Sequence, residues 1–142
     1  MSRRVKIEGL RELDQALIAL GKVTAKNAAR RTLRKAAEPI RAAAVQAAPV
    51  DTGDLIKSVA VSTRNPKRNK KQSPIEVHVG PGRHPQAITQ EFGTRDHSPQ
   101  PYMRPAWAAE KGTALRLIKQ TLTAEIMGAA KRQARKAARG AR

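Results

Sequence analysis

Residues 90–107 have the sequence QEFGTRDHSPQPYMRPAW, and this stretch contains all three aromatic residues of the chain, Phe92, Tyr102 and Trp107. Aromatic side chains bury the largest apolar area per residue, so these three are predicted to anchor the core. The stretch has little regular periodicity and is rich in proline. We therefore expect it to hold together the helices and strands on either side of it.

The composition of the whole chain leaves little apolar material for a core. Its 142 residues suit one domain, and 29 Lys and Arg against 11 Asp and Glu give a net charge of +18. Leu, Ile, Val and Phe supply only 26 residues, or 18% of the chain, while Ala alone supplies 25. That share is below the roughly 20% under which a highly charged chain tends to be disordered. A self-sufficient monomeric enzyme is therefore not expected.

Other classes of protein are also disfavoured by composition. There is no Cys for a disulfide scaffold, and no apolar run approaches the roughly 20 residues that a membrane span needs. The segment Met1–Arg4 is basic through its two arginines, but no apolar stretch of the signal-peptide type follows it. The sequence thus predicts a product made in the cytoplasm, without membrane contact.

Three segments have helical periodicity. The first is predicted between Gly9 and Gly21, where leucines recur at spacings of three and four residues. The second is predicted from about Thr24, as N-cap, to Ala48, and Pro39 is expected to kink or split it. The third is predicted from near Pro105. The leucines of the first segment are Leu10, Leu13, Leu17 and Leu20.

Alternating apolar and polar residues predict short strands. One such pattern covers residues 5–8, a second covers 59–63 and a third covers 75–79. The segment 64–74 between the last two has five positive charges and no acidic residue, which predicts an exposed, mobile hairpin loop. Residues 49–55 are predicted to form a turn, and Gly80-Pro81-Gly82 closes the strand pair.

The C-terminal end is the second strongly basic segment. Residues 131–142 have six positive charges and no acidic residue. They are predicted to form a frayed helix or a disordered, flexible tail after a single domain at residues 1–130. We see no internal repeat and no interdomain linker.

No constellation of residues indicates catalysis or a bound metal. His78, His84 and His97 lack the spacing of a helical metal site. The carboxylates and hydroxyl near His97 lie in a polar loop, and Asp51 and Asp54 flank a turn. Gly80-Pro81-Gly82-Arg83 lacks the phosphate-loop pattern. We therefore expect no enzymatic activity, no cofactor and no metal.

Three basic segments, residues 22–41, 64–71 and 131–142, account for nearly all of the net charge. Charge this concentrated favours contact with polyanions, although a solvated helix face with two basic loops has the same composition. A basic DNA-binding protein that acts through non-specific phosphate contacts is therefore an alternative function. The residues predicted to contact a polyanion are Lys67, Arg68, Lys70, Lys71, Arg132, Arg135 and Lys136.

Four sequence elements occur in an order that resembles a known family. They are the Gly9–Leu13 opening, the Ala48–Val59 stretch with PVDTGDL at residues 49–55, the Val77–Gly82 strand end, and Gln90–Thr94 followed by Pro101–Trp107. Together they resemble the tail-completion, or neck, proteins of lambdoid long-tailed bacteriophages, the "gene product ten" family. In that family a Phe and an aliphatic residue usually stand at the positions of Tyr102 and Met103. The resemblance spans roughly residues 5–122.

The resemblance implies a structural virion component that joins tail to head. It implies an α+β fold, with a small antiparallel sheet packed against two or three helices. It further implies a homo-oligomeric ring, often sixfold, that contacts neighbouring neck and tail proteins such as the tail terminator and head-completion proteins. The basic segments would then face either DNA in the lumen or acidic surfaces of adjoining rings.

Several residues of these elements are predicted to serve assembly or structure. Gly53 can adopt positive φ where the chain leaves the second helix, and Thr52 is a candidate cap. Arg104 is expected to pair with Glu91, as a structural salt bridge or a subunit contact. The full set of predicted assembly residues is Asp51, Thr52, Gly53, Glu91, Phe92, Gly93, Thr94, Arg104 and Trp107.

Overall fold

The computed structural model describes residues 10–64 and 70–141, which form five helices and one two-stranded antiparallel sheet. The elements in chain order are α1 (Leu10–Ala19), α2 (Lys22–Ala47), α3 (Asp54–Ser58), β1 (Ala60–Ser62), β2 (His78–Gly80), α4 (Ala87–Phe92) and α5 (Met103–Gly140). The fold is thus mostly helical with a small sheet, and the predicted α+β class is confirmed.

The two long helices, α2 and α5, form the body of the molecule. They run antiparallel, because Arg31 near the start of α2 bonds Glu125 far along α5, while Ala44 near the end of α2 packs with Ala106 at the start of α5. Most of their buried contact residues are alanines. Alanine lets two helices approach closely, but its burial removes little apolar area from water. Because buried apolar area stabilises by about 25 cal/mol per Å², each alanine contributes little.

Helix α1 packs across one end of this pair. Leu20, just after α1, is buried with Leu122 and Ile126 of α5, and Leu17 packs against them. Gly21 has a φ of 81°, ends α1 and directly precedes α2. The chain turn at Gly21 lets α2 begin at Lys22, so the prediction that Thr24 is its N-cap is wrong. Of the two predicted effects of Pro39, a kink or a split, the split does not occur, because α2 continues through Pro39 as one helix.

The sheet has the predicted pairing but is shorter than expected. Val61 of β1 faces Val79 of β2 in an antiparallel register. Each strand has three residues, a length at which two strands alone are marginal in water. The predicted strand at residues 5–8 and two of the predicted polyanion contacts, Lys67 and Arg68, lie outside the described residues.

Two short helices stand where turns and irregular chain were predicted. Helix α3 occupies residues 54–58 and buries Leu55, and α4 occupies residues 87–92 and buries Ala87 and Glu91. Both are shorter than two turns, which is too short to give a clear periodic signal. Each is held by tertiary burial of one or two residues rather than by intrinsic helix propensity.

The aromatic residues do not all anchor the core. Tyr102 is 1% exposed and its hydroxyl donates a hydrogen bond to the Ala87 carbonyl at 3.1 Å, as a core anchor should. Phe92 and Trp107 are 61% and 57% exposed, so the prediction that they are core residues is wrong. Composition cannot show which aromatic side chains lie in the core and which lie on the surface, because all of them have a large apolar area that could be buried.

Helix α5 begins at Met103 and continues to Gly140, so the basic C-terminal segment is helical through that residue. Its last turns, from Ala130 onward, are exposed throughout the part that the structure describes. The start lies two residues before the predicted one, with Pro105 in the first turn, where a missing backbone donor costs little. No described helix is both long and apolar enough to cross a membrane.

Replacing Tyr102 tests which aromatic stabilises the subunit. We expect Tyr102→Ala to lower the free energy of unfolding by about 3–5 kcal/mol, because it empties the centre of the core cluster that joins α2, α3 and α5. Trp107→Ala is the matched control and, with all samples measured at a dilution at which the chain is monomeric, should change it by less than about 1 kcal/mol. Urea unfolding of the two variants measures both values, and equal losses would contradict the assignment.

Candidate assembly site

The carboxylate of Glu91 holds the first turn of α5. Its Oε2 accepts hydrogen bonds from the backbone N–H groups of Tyr102 and Met103 at 2.8 and 2.9 Å, and its Oε1 accepts one from Arg104 N–H at 3.0 Å. The first N–H groups of a helix have no partner within the helix, and its N-terminal end favours negative charge. A side chain eleven residues earlier in the sequence thus does the work of a helix cap.

Arg104 completes this contact, and the predicted Glu91–Arg104 pair is confirmed. The Arg104 Nε atom donates to Glu91 Oε1 at 2.9 Å, and a terminal guanidinium nitrogen donates to the Glu91 carbonyl at 2.7 Å. The guanidinium also lies 4.7 Å from the centroid of the Phe92 ring, within cation–π range. The Glu91 side chain is buried while that of Arg104 remains largely exposed. The ion pair therefore lies at the boundary between the protein interior and the solvent.

Burial and hydrogen bonding act on Glu91 in opposite directions. Desolvation alone would raise its pKa, but the hydrogen bonds from Met103, Tyr102 and Arg104 outweigh that effect and hold the pKa of Glu91 below its ordinary value. The carboxylate is therefore ionised at neutral pH. The same burial, with the charge of Glu91 nearby, raises the pKa of Tyr102.

Gly93 ends α4 in a position that admits only glycine. Its φ is 75°, and a Cβ atom there would lie 2.8 Å from the His97 carbonyl oxygen and from the Pro99 nitrogen. This close approach is held by the Thr94 N–H, which donates to the His97 carbonyl at 2.8 Å. Gly93 thus lets two stretches of backbone pack closely together.

The PVDTGDL stretch forms a corner beside α4. Gly53 has a φ of 81°, as predicted, and directly precedes α3. The Asp54 N–H reaches the Thr52 hydroxyl oxygen at 3.4 Å, while that hydroxyl donates to the Asp54 carboxylate at 2.8 Å. The N-cap of α3 is Gly53, which has no side-chain cap hydrogen bond, so the prediction that Thr52 caps a helix here is wrong. Thr52 makes only the 3.4 Å contact with the backbone of the first residue of α3, a helix that the sequence did not predict.

This corner and α4 enclose a small cavity of about 160 Å³. Residues 49–53 and Leu55 line one side of it, and Gln86, Gln90 and Gln100 line the other. Gln100 N–H donates to the Gln90 carbonyl at 2.7 Å. The structure thus brings two of the sequence elements, the corner and the α4 region, against each other.

A larger, open groove lies between α2, β2 and the first half of α5. Its volume is about 800 Å³ and its walls are chiefly apolar, with His78 and Lys111 as the ionisable lining residues. Trp107 and Leu115 line it and remain exposed, with 42% of Leu115 accessible. The large apolar side chains that line it are Leu33, Ile40, Val77, Val79, Met103, Trp107, Leu115 and Ile118.

The groove continues into an exposed apolar ridge. Ile88 and Phe92 are four residues apart on α4, Arg104 covers the Phe92 ring, and Trp107 follows Arg104 by three residues on α5. Residues three or four apart share one face of a helix. We call these four residues, Ile88, Phe92, Arg104 and Trp107, the aromatic ridge. The sequence signal for α4 was a spacing of four residues in two pairs. Ala87 and Glu91 form the buried pair, and Ile88 and Phe92 form the exposed pair.

The remaining predicted contacts are surface residues. Asp51, Thr52 and Thr94 are exposed, as are Lys70, Lys71, Arg132, Arg135 and Lys136. Within residues 10–64 and 70–141, no group of three or more acidic, His or Cys side chains is placed to hold a metal ion.

Comparison with known proteins gives one family. The family model described as "Bacteriophage HK97-gp10, putative tail-component" matches residues 11–93, which is more than half of the chain. The match includes α1 to α4, the corner at residues 49–55 and Glu91, and it ends at Gly93. No curated protein and no solved structure gave a significant match.

Removing the charge of Glu91 tests its role at the start of α5. We expect Glu91→Gln to lower the free energy of unfolding by about 2–3 kcal/mol, because the amide cannot accept all the hydrogen bonds that the carboxylate accepts. Arg104→Gln, which leaves the three backbone contacts in place, should cost less. Denaturant unfolding at pH 7 measures both, and a larger loss for Arg104→Gln would contradict this role.

The stability that Glu91 supplies should depend on pH. Its folded pKa is lowered from an ordinary value of 4.5, so its contribution is complete above that value and is lost as the pH falls through the folded pKa. The difference in unfolding free energy between wild type and Glu91→Gln should therefore be constant above about pH 6 and shrink below pH 4.5. A difference that grows on acidification would refute the lowered pKa.

Proposed function

This chain belongs to the HK97 gp10-like family of bacteriophage tail components, and from that premise we propose that it is a tail-completion protein that forms a ring at the neck and joins tail to head during assembly. A tail component is part of the virion. We further propose that its role is structural rather than catalytic. Its best-defined carboxylate, Glu91, is engaged by backbone N–H groups and Arg104, which supports that role.

The open groove is the observation that carries the proposal of a ring. Hydrophobic residues exposed together on one surface mark sites of association. The chain has only three aromatic residues and leaves two of them exposed, at and beside the groove. Aromatic residues and arginine are enriched in the centres of protein interfaces, and the aromatic ridge combines both.

The shape of the subunit supports a closed ring over a two-fold dimer. In a ring each subunit presents one face to a different face of the next. The groove with its ridge is one such face, and the chain has further exposed apolar side chains elsewhere, among them Val50 at the corner and Ile18 on α1. The apolar material missing from the core of one copy would thus be supplied by its neighbour.

The proposed ring would stack between other rings of the neck. Its neighbours would be the tail terminator on one side and head-completion proteins on the other, with the DNA path through the lumen. During infection such subunits would be made and assembled in the host cytoplasm.

A charge placed in the groove tests the ring. We expect the wild-type chain to form closed rings, observed by light scattering coupled to gel filtration and by negative-stain imaging. Trp107→Glu should reduce them at least tenfold, because a carboxylate would be desolvated at the interface. Met127→Glu, at an exposed apolar position farther along α5 and outside the groove, is the control and should leave rings intact.

The outcomes separate the proposal from its alternative. Circular dichroism should show unchanged helix content in both variants, since both residues are exposed. Equal loss of rings in the two variants would move the interface away from the groove. A wild-type chain that stays monomeric at high concentration, even with its neck partners, and binds duplex DNA tightly would favour the DNA-binding alternative.

A further inference from the structure

The last turns of α5 have basic side chains on one side of the helix and small side chains on another. Five basic side chains stand between residues 131 and 139, and all are exposed. At about 100° per residue, they occupy an arc of about 140° around the helix axis. We call this surface the cationic arc. Its members are Lys131, Arg132, Arg135, Lys136 and Arg139.

The other sides of these turns have different roles. The sector opposite the arc is formed by Ala130, Ala134, Ala137, Ala138 and Ala141. Between the two sectors, buried Ala129 and the side chain of Gln133 face α1, and Gln133 Nε2 donates to the Leu20 carbonyl at 3.0 Å. This contact fixes the rotation of the helix, so the direction of the cationic arc is set by the fold.

The arc continues onto the neighbouring helix. Glu125 of α5 accepts two hydrogen bonds from Arg31 of α2 at 2.7 and 3.1 Å. Lys35 and Arg132 lie in the same surface depression as Glu125, which has a volume of about 370 Å³. One carboxylate thus lies among three cations, Arg31, Lys35 and Arg132. This region therefore has a net positive charge and extends the arc onto α2.

The chemistry of the arc fits phosphates better than a protein surface. Cores of protein interfaces contain aromatic and large apolar anchors, and the exposed residues from Ala130 to Ala141 include no aromatic residue and no apolar residue larger than Ala. Its five charges span about 12 Å of helix. Duplex DNA presents one negative charge per about 1.7 Å of axis, so an equal length offers enough phosphates to engage every member of the arc.

We propose that the cationic arc of α5 binds the phosphate backbone of duplex DNA without base specificity. The inference rests on the proposed function in one respect: a neck ring places its subunits around the DNA path. The arc itself belongs to a single subunit, so DNA binding does not require the ring. Acidic protein surfaces are the competing partner, and the test distinguishes them.

The experiment measures binding of the full chain to a fluorescent 30-base-pair duplex at several salt concentrations. The arc variant is R132Q/R135Q/K136Q. The matched control is R83Q/R116Q/K119Q, which removes two arginines and one lysine from exposed positions outside the arc. Because each neutralised phosphate contributes about −0.9 to the slope of log K against log salt concentration, the slope of the arc variant should be less steep by up to about 2.7. The control slope should change by less than about 1.

Three results would overturn the inference: equal weakening by both triple variants, unchanged binding by the arc variant, or a wild-type chain that binds polyglutamate more tightly than the duplex. Ring formation is measured on the same samples by light scattering. Rings that persist in an arc variant with weakened DNA binding support the inference and the proposed function separately. Absent rings with arc-dependent DNA binding would refute only the proposed function.

Discussion

The contact between Glu91 and the start of α5 is the interaction on which the arrangement of the molecule depends. A buried charge is tolerated only when it is hydrogen-bonded and paired, and here three backbone N–H groups and one guanidinium meet a single carboxylate. This contact fixes the short helix α4 against the longest helix of the chain. It thereby places Phe92 beside Arg104 and sets the direction of the first turn of α5, which packs against α2. Without it, α4 would have little to hold it, since it buries only Ala87 and Glu91.

A shortage of large apolar residues governs the rest of the structure. The antiparallel helices α2 and α5 pack through alanines, which brings the backbones close but stabilises the pair only weakly. The larger side chains gather in three small clusters rather than one continuous core. The groove stays open beside the cluster of Ala36, Ile40 and Ala114, with Trp107 and Leu115 at its surface. In the ring that we propose, a neighbouring subunit would cover this surface and add apolar burial that the single subunit lacks.

Charge is distributed along the same two helices. Acidic residues are few, and several of the described ones are engaged by neighbouring groups: Glu38 pairs with Arg41, Glu125 with Arg31, and Glu76 accepts hydrogen bonds from the Gln72 and Ser73 N–H groups. The remaining basic residues give the surface a positive potential. Five of them project from one side of the last turns of α5, whose rotation is held by the contact of Gln133 with Leu20.

The sequence by itself determined the long helices, the antiparallel pairing of the two strands, the positive φ of Gly53 and the Glu91–Arg104 pair. Periodicity, glycine stereochemistry and charge complementarity are local or pairwise properties, so a motif can reveal them. Tertiary structure alone decided that α3 and α4 are helices and that Tyr102 is buried while Phe92 and Trp107 are exposed. It also decided that the three backbone groups at the start of α5 share one carboxylate. Burial depends on which surfaces meet in space, and a short helix gains most of its stability from that meeting rather than from its own residues.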